Sequence, residues 1–138
     1  MIDFYSETDF KLQNQELFAS WISKVVNDYD FSLGDVTFIF CDDEFLHKIN
    51  LEYLNHDTLT DIISFDYSLR NEIHGEVYIS IERVKENAKE FNESFDKELK
   101  RVIIHGILHF LGFKDKTDKE QQQMRFLEEK AIDKFPTN

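Results

Sequence analysis

The sequence has one cysteine, Cys41, one proline, Pro136, and only four glycines. A single thiol excludes any disulfide within the chain, as suits a reducing cytosol. Cys41 ends the apolar run VTFIFC and is expected to be buried as a small hydrophobe. So little proline and glycine leaves no linker, and no internal repeat or low-complexity tract breaks the chain. Residues 1–138 are therefore expected to form one domain. Long apolar runs are also missing: none approaches the roughly 18 uninterrupted residues of a spanning helix. The opening MIDFYSETDF has no basic segment leading into an apolar one. No signal peptide is expected, and the chain is read as cytoplasmic with no membrane partner.

Positive charge is the other shortage. There are 16 Lys and Arg against 28 Asp and Glu, a formal net charge of −12. Proteins that hold nucleic acid by their own field show a basic face, because Lys and Arg replace the counterions of the phosphates. Here basic residues are dense only at 97–101 and 114–119. DNA is not an expected partner. An RNA would need those few cations focused into one groove, or delivery by another protein.

Apolar residues are ample at 41% of the chain, with 14 Phe, which excludes wholesale disorder. Ile2 and Phe4 point one way along a short strand at 1–5. Leu17, Phe18, Trp21, Ile22, Val25, Val26 and Tyr29 recur at helical spacing and predict an amphipathic helix over 14–28. Val36, Phe38 and Phe40 alternate as a strand. Asp42 or Asp43 can cap a short helix running through Glu44, Leu46 and Ile49. Residues 61–67 and 75–80 read as an antiparallel pair joined by the polar loop 68–74. Ser80 caps a helix carrying Ile81, Val84, Ala88 and Phe91. A helix over 96–111 is apolar nearly all round in its latter half, which predicts a place at the centre of the core. Gly112 stops it, and Thr117 with Glu120 forms a capping box opening a last helix through Met124, Leu127 and Ile132. The order βαβαββααα predicts an α+β fold, a mixed four-stranded sheet packed against several helices. Trp21, Phe38 and Phe40 are expected to be core packing rather than base-stacking platforms.

The segment HGILHFLGFKD, residues 105–115, carries chemistry. Residues four apart share a helix face, so His105 and His109 can converge on one ion. Beyond the stop at Gly112, Asp115 can swing back as a third ligand. Two imidazoles and a carboxylate leave a fourth position open, the layout of a catalytic zinc site. Two imidazoles buried among apolar residues without partners would each cost roughly 1–3 kcal/mol, and a shared cation removes that cost. Asp118 is a rival third ligand, although an acid is expected anyway in a first helical turn. His47, His56 and His74 lie in polar surroundings and are read as solvated. The pattern also has the spacing of H-E-x-x-H zinc proteases, but Gly106 stands where those enzymes place the glutamate base, which argues against a peptidase.

The same segment resembles the H-G-x-L-H-L-x-G-Y-D-H motif of the YbeY endoribonuclease family. A second motif of that family, L-N-x-x-Y-R-x-x-D-x-P-T-D-V-L-S-F, is similar to INLEYLNHDTLTDIISF at 49–65, with matches at Asn50, Tyr53, Asp57, Thr60, Asp61, Ser64 and Phe65. Gly75, Glu76 and Val77 fit the strand that follows, and Met124 with Glu128 the family's tail. The resemblance implies an α+β sandwich and a metal-dependent, single-strand-specific endoribonuclease. Its expected work is maturation of the 3′ end of small-subunit rRNA and ribosome quality control, with rRNA and small-subunit proteins as partners. It implies metal ligands His105, His109 and Asp115, catalytic roles for His105, His109 and Asp61, and a substrate contact from Ser64; Arg101 and Lys114 are expected to contact substrate as cations near the site. The cofactor expected is one divalent ion, zinc first, with manganese, nickel or iron also fitting two imidazoles.

Two positions depart from the family pattern. Asp115 stands where the family has its third histidine, and Leu54 where it has an arginine. A carboxylate can replace imidazole on zinc at similar bond lengths. The lost guanidinium would be a natural clamp for phosphate, and Arg70, Arg101 or the lysines flanking Asp115 are the candidates to replace it. A non-catalytic assembly factor, in which the same metal staples the loop after Gly112, is the alternative reading.

Overall fold

The computed structural model describes residues 1–54 and 60–136. His56 and Asp57 lie outside the described residues, as does the side chain of Leu54. Among the described residues the elements run β1 (Ile2–Ser6), α1 (Gln15–Asp28), β2 (Ser32–Cys41), α2 (Asp43–Leu54), β3 (Ile62–Asp66), β4 (Glu72–Ser80), α3 (Ile81–Glu90), α4 (Phe95–Phe110) and α5 (Asp118–Asp133). This is the order the periodicities predict. The strands form one sheet in the order β1-β2-β4-β3. β1 and β4 both pair parallel to β2, and β3 closes the edge antiparallel to β4, so the sheet is mixed.

Alternation along β4 sorts the two faces. Ile73, Val77 and Ile79 point into the main core, which gathers buried residues from α1, α3, α4 and α5, while Tyr78 packs on the opposite side. That second side is small: Cys41, Ile63, Phe65 and Tyr78 under Leu46 and Ile49 of α2. Cys41 is fully buried as expected, and burial, then the nearby Asp42, Asp43 and Glu7, pushes its thiol pKa up to about 12. It is an unreactive packing group. Trp21, Phe38 and Phe40 are core residues, and the Trp21 indole donates to the carbonyl of Ala131 at 2.8 Å, tying α1 to α5.

The helix ends follow local chemistry. Asp42 caps α2 by accepting from Phe45 N at 2.8 Å, while Asp43 instead accepts from Ser80 Oγ at 2.6 Å. Ser80, Ser94 and Thr117 cap α3, α4 and α5, the last in a full capping box with Glu120. Two strands start earlier than expected. β2 starts at Ser32 rather than Val36, with a register shift between Leu33 and Val36. β4 begins at Glu72 rather than Gly75, because Leu69 and Glu72 exchange both backbone hydrogen bonds around a tight turn with Arg70 at φ 55°. His74 therefore sits in a strand. Its ring pairs with Glu72 at 2.5 Å and accepts from Asp35 N at 3.1 Å, so it is held rather than solvated. No helix among the described residues is long and apolar enough to cross a membrane.

Candidate metal centre

α4 lies flush on the sheet because position 106 has no side chain. A Cβ there would meet Ile62 Cδ1 at 3.1 Å, Val77 Cγ1 at 3.3 Å and Ser64 Oγ at 3.6 Å. The glycine where zinc proteases carry glutamate thus faces β3 and β4, and the two histidines flanking it are turned along the open side of the helix. The helix then ends in a Schellman arrangement. Gly112 takes φ +101°, its N–H donates to His109 O, and Phe113 N donates to Leu108 O, both at 3.0 Å. Phe113 packs edge-on against Tyr29 and anchors the reversal. Two residues later Asp115 has returned to the histidines.

The result is a tight triangle. His105 Nε2 and His109 Nε2 are 3.0 Å apart, and Asp115 Oδ2 lies 3.2 Å from the first and 3.3 Å from the second. One face of a tetrahedron with metal–ligand bonds of about 2.0–2.1 Å has edges of about 3.3 Å. The three donor atoms therefore fit a single small divalent cation, with the fourth direction free. Among the described residues this is the group of His, Cys, Asp and Glu side chains that meets at one point. The rival Asp118 is exposed and lines a neighbouring hollow without joining it.

A second layer supports the triangle. His105 Nδ1 meets Glu128 Oε2, from α5, at 2.6 Å, and Glu128 is only 5% exposed. Burial alone would lower the His105 pKa. The hydrogen bond and charge of Glu128, with the charges of Asp115 and Asp61, outweigh it, and the pKa is raised. The pocket favours positive charge at this ring, whether a proton or a metal ion supplies it.

The triangle opens into a cleft of about 1040 Å³ walled by β3, α4, the loop after Gly112 and α5. Asp61, just before β3, is partly buried in that wall and hydrogen-bonded by Asn87 Nδ2 at 3.3 Å. Burial raises its pKa above the ordinary carboxylate value, against the opposing pull of His105. Ser64 lines the same cleft from β3, beneath Gly106.

The cations are arranged differently from the sequence reading. Arg101 is buried in the wall and engaged by carboxylates: Glu98 at 3.3 Å, Glu129 at 2.5 Å and Glu128 at 3.5 Å. Lys114 is exposed on the loop outside the cleft wall, and Arg70 is at the β3–β4 turn, also outside it. Lys116 and Arg125 do line the cleft. Among the described residues Arg125 makes no direct ion pair, although its charge acts on Glu98 and Glu129, and its guanidinium lies 5.6 Å from the centre of the Phe91 ring. Arg125 and the supporting role of Glu128 are the features that sequence reasoning did not assign. Glu128 carried a faint signal, as part of the tail motif beside Met124.

A triangle of donors that could hold one divalent cation and opens into a cleft is the arrangement of a metal-dependent hydrolase. Comparison with known proteins fixes which one. The Endoribonuclease YbeY family model matches residues 2–136, and the chain belongs to that family. It is 60% identical over 134 residues to the endoribonuclease YbeY of Christiangramia forsetii, covering 97% of this chain and 94% of that one. It is 56% identical over 135 residues to that of Flavobacterium johnsoniae, covering 98% and 97%. The solution structure of a Thermotoga maritima protein matches with a TM-score of 0.67 at 28% identity, over 96% of this chain and 87% of that one. The resemblance read from the two motifs is borne out over nearly the whole chain, and with it the α+β fold.

Proposed function

We propose that this protein, acting as one cytoplasmic domain, is a single-strand-specific endoribonuclease that matures the 3′ end of small-subunit rRNA and serves ribosome quality control. The observation that carries the reading is the triangle of His105, His109 and Asp115, with edges of 3.0–3.3 Å, at the floor of an open cleft. These three residues would hold one divalent ion, zinc by preference for two imidazoles and a carboxylate in tetrahedral array. When bound, the ion supplies Lewis acidity at the scissile phosphate and a lowered pKa for water.

The chain's own groups do the rest. His105 and His109 fix the position of the charge at the end of α4. Asp61, which lines the same cleft and has its pKa raised by burial, would hold or pass a proton there. Ser64 offers a hydroxyl to the strand from β3. Of the cations, Lys114 meets the phosphates outside the cleft wall, and Arg101 contributes from within the wall. Lys116 and Arg125 are the ones open to phosphate inside the cleft, and Arg125 takes the part of the arginine that the family pattern has at position 54. Small-subunit ribosomal proteins are the proposed partners that present the rRNA.

The test pairs metal content with cleavage. Elemental mass spectrometry of the untagged protein is expected to give about one equivalent of metal in the parent, lost in His109→Ala and in Asp115→Ala. The parent should cut an rRNA fragment carrying the immature 3′ end, and His109→Ala should not. Full metal content with no cleavage would favour the stapled assembly factor instead.

A further inference from the structure

We infer that Glu128 is a positioning residue of the metal centre: its Oε2 accepts a hydrogen bond from the Nδ1–H of His105, which leaves the Nε2 lone pair of that ring aimed at the point shared with His109 and Asp115. Arg101 holds the Glu128 carboxylate in that place. The inference rests on reading the triangle as a metal site, and it assigns work to Glu128, a buried ionic residue that the hydrolytic reading leaves without any.

A neutral imidazole carries one N–H and one lone pair, and which nitrogen has which is set by the partner of the other. His105 has two carboxylates within reach, one at each nitrogen. Glu128 Oε2 is 2.6 Å from Nδ1, and Asp115 Oδ2 is 3.2 Å from Nε2. The shorter contact is to the more buried acid, whose side chain is only 6% exposed against 37% for Asp115. The Nδ1 side is therefore the stronger claim on the proton, and Nε2 is left as acceptor toward the triangle.

Glu128 is itself held. Arg101 lies between three carboxylates, with Nε 3.3 Å from Glu98 on α4, Nη2 2.5 Å from Glu129 and Nη1 3.5 Å from Glu128 Oε1, both on α5. Nη1 is buried with no hydrogen-bond partner, and the Glu128 carboxylate 3.5 Å away is its ion-pair contact. Of the three carboxylates that cage Arg101, Glu129 is partly exposed and is also reached by Lys97 Nζ at 3.7 Å, whereas Glu128 is a buried carboxylate set between Arg101 and His105. Burying such a group is unfavourable unless further positive charge completes it. A cation held through His105 does so. The cage also spans α4 and α5 one turn from the histidine, which fixes the distance across which Glu128 must reach.

The test uses zinc alone and the full chain. Zinc affinity is measured by competition with a chromophoric chelator for the parent, Glu128→Met and Glu128→Gln. Methionine keeps the length and removes the acceptor, whereas glutamine keeps a neutral acceptor for Nδ1–H. Glu128→Met is expected to weaken zinc binding about 10–100-fold, the usual effect of losing such an outer partner. Glu128→Gln should recover part of that loss. In parallel, long-range 15N–1H spectra of the metal-free parent above pH 8 should show His105 protonated at Nδ1. Zinc affinity unchanged in Glu128→Met, equal losses in both variants, or a His105 ring protonated at Nε2 in the parent would each overturn the inference. A parent that binds no zinc would sink the metal reading, while the ring's tautomer would still decide what Glu128 does.

Discussion

Asp61 stands at the cleft wall with its carboxylate accepting from Asn87 and burial raising its pKa. A raised folded-state pKa means that folding favours the protonated form. The associated stability is present below the unfolded value of about 3.9 and is lost as pH rises through the folded value. Once pH exceeds the folded value, the metal-free protein therefore carries a destabilising charge at this position, as is expected where a site keeps a proton-handling group. Asp61→Asn keeps an acceptor for Asn87 and removes the charge. In the presence of a chelator its melting temperature should exceed the parent's at pH 7, and the two should converge below about pH 4. Its rRNA cleavage should fall by about 10²–10⁴-fold, the usual range for a group that transfers a proton. Equal melting temperatures at pH 7 would show that the charge is not strained and would weaken the assignment of Asp61 as the proton carrier.

At the scale of elements, the end of α4 is the part on which the triangle depends, and it turns on one residue. Gly112 has φ +101°, and a Cβ there would meet nothing within 4 Å. A substitution at this position is therefore read through backbone conformation alone. Gly112→Ala should cost about 1 kcal/mol for a left-handed conformation that alanine resists. For a chain of this size that lowers the melting temperature by about 2–8 °C. Gly112→Asn should lose less, since asparagine tolerates the conformation better. A thermal-unfolding series in chelator checks the order, and equal losses for alanine and asparagine would show that something other than the backbone is being disturbed. Much at this scale was legible in the sequence. The stop at Gly112, the capping box of Thr117 and Glu120, and the apolar half of α4 are local patterns, and each element formed where its pattern lay. The triangle was legible for the same reason: its three members lie within eleven residues of one another, on one helix and the turn that ends it. What was not legible was rotation. Which side of α5 faces His105 depends on Met124 and Ala131 burying themselves against the core and on Trp21 bonding the Ala131 carbonyl. None of these is a local pattern, so Glu128 remained a tail residue, and the carboxylate cage around Arg101 gave no sign of itself.

For the molecule as a whole, the shortage of positive charge becomes a statement about how RNA is held. The net charge is −12, and the cleft presents Asp61, Asp66, Asp115 and Glu128 against the open cations Lys116 and Arg125. A phosphate backbone entering that cleft meets more repulsion than attraction until the triangle carries a cation. Chelation should therefore weaken binding of single-stranded RNA as well as stop cleavage, measured by fluorescence anisotropy at low salt with and without added zinc. The salt dependence should be shallow. Each phosphate contact contributes a slope of about −0.7 for a single strand, so two open cations predict about −1.4 in log affinity against log salt. Arg125→Ala should remove about 0.7 of that slope and weaken binding evenly across sequences, because a guanidinium on a phosphate carries no base information. A slope several times steeper, unchanged by Arg125→Ala, would place the RNA on basic residues outside the cleft lining, such as Lys97, Lys100, Lys114 and Lys119. In that case the triangle would act on a strand gripped elsewhere, and the few cations of the cleft would orient the phosphate without supplying the affinity.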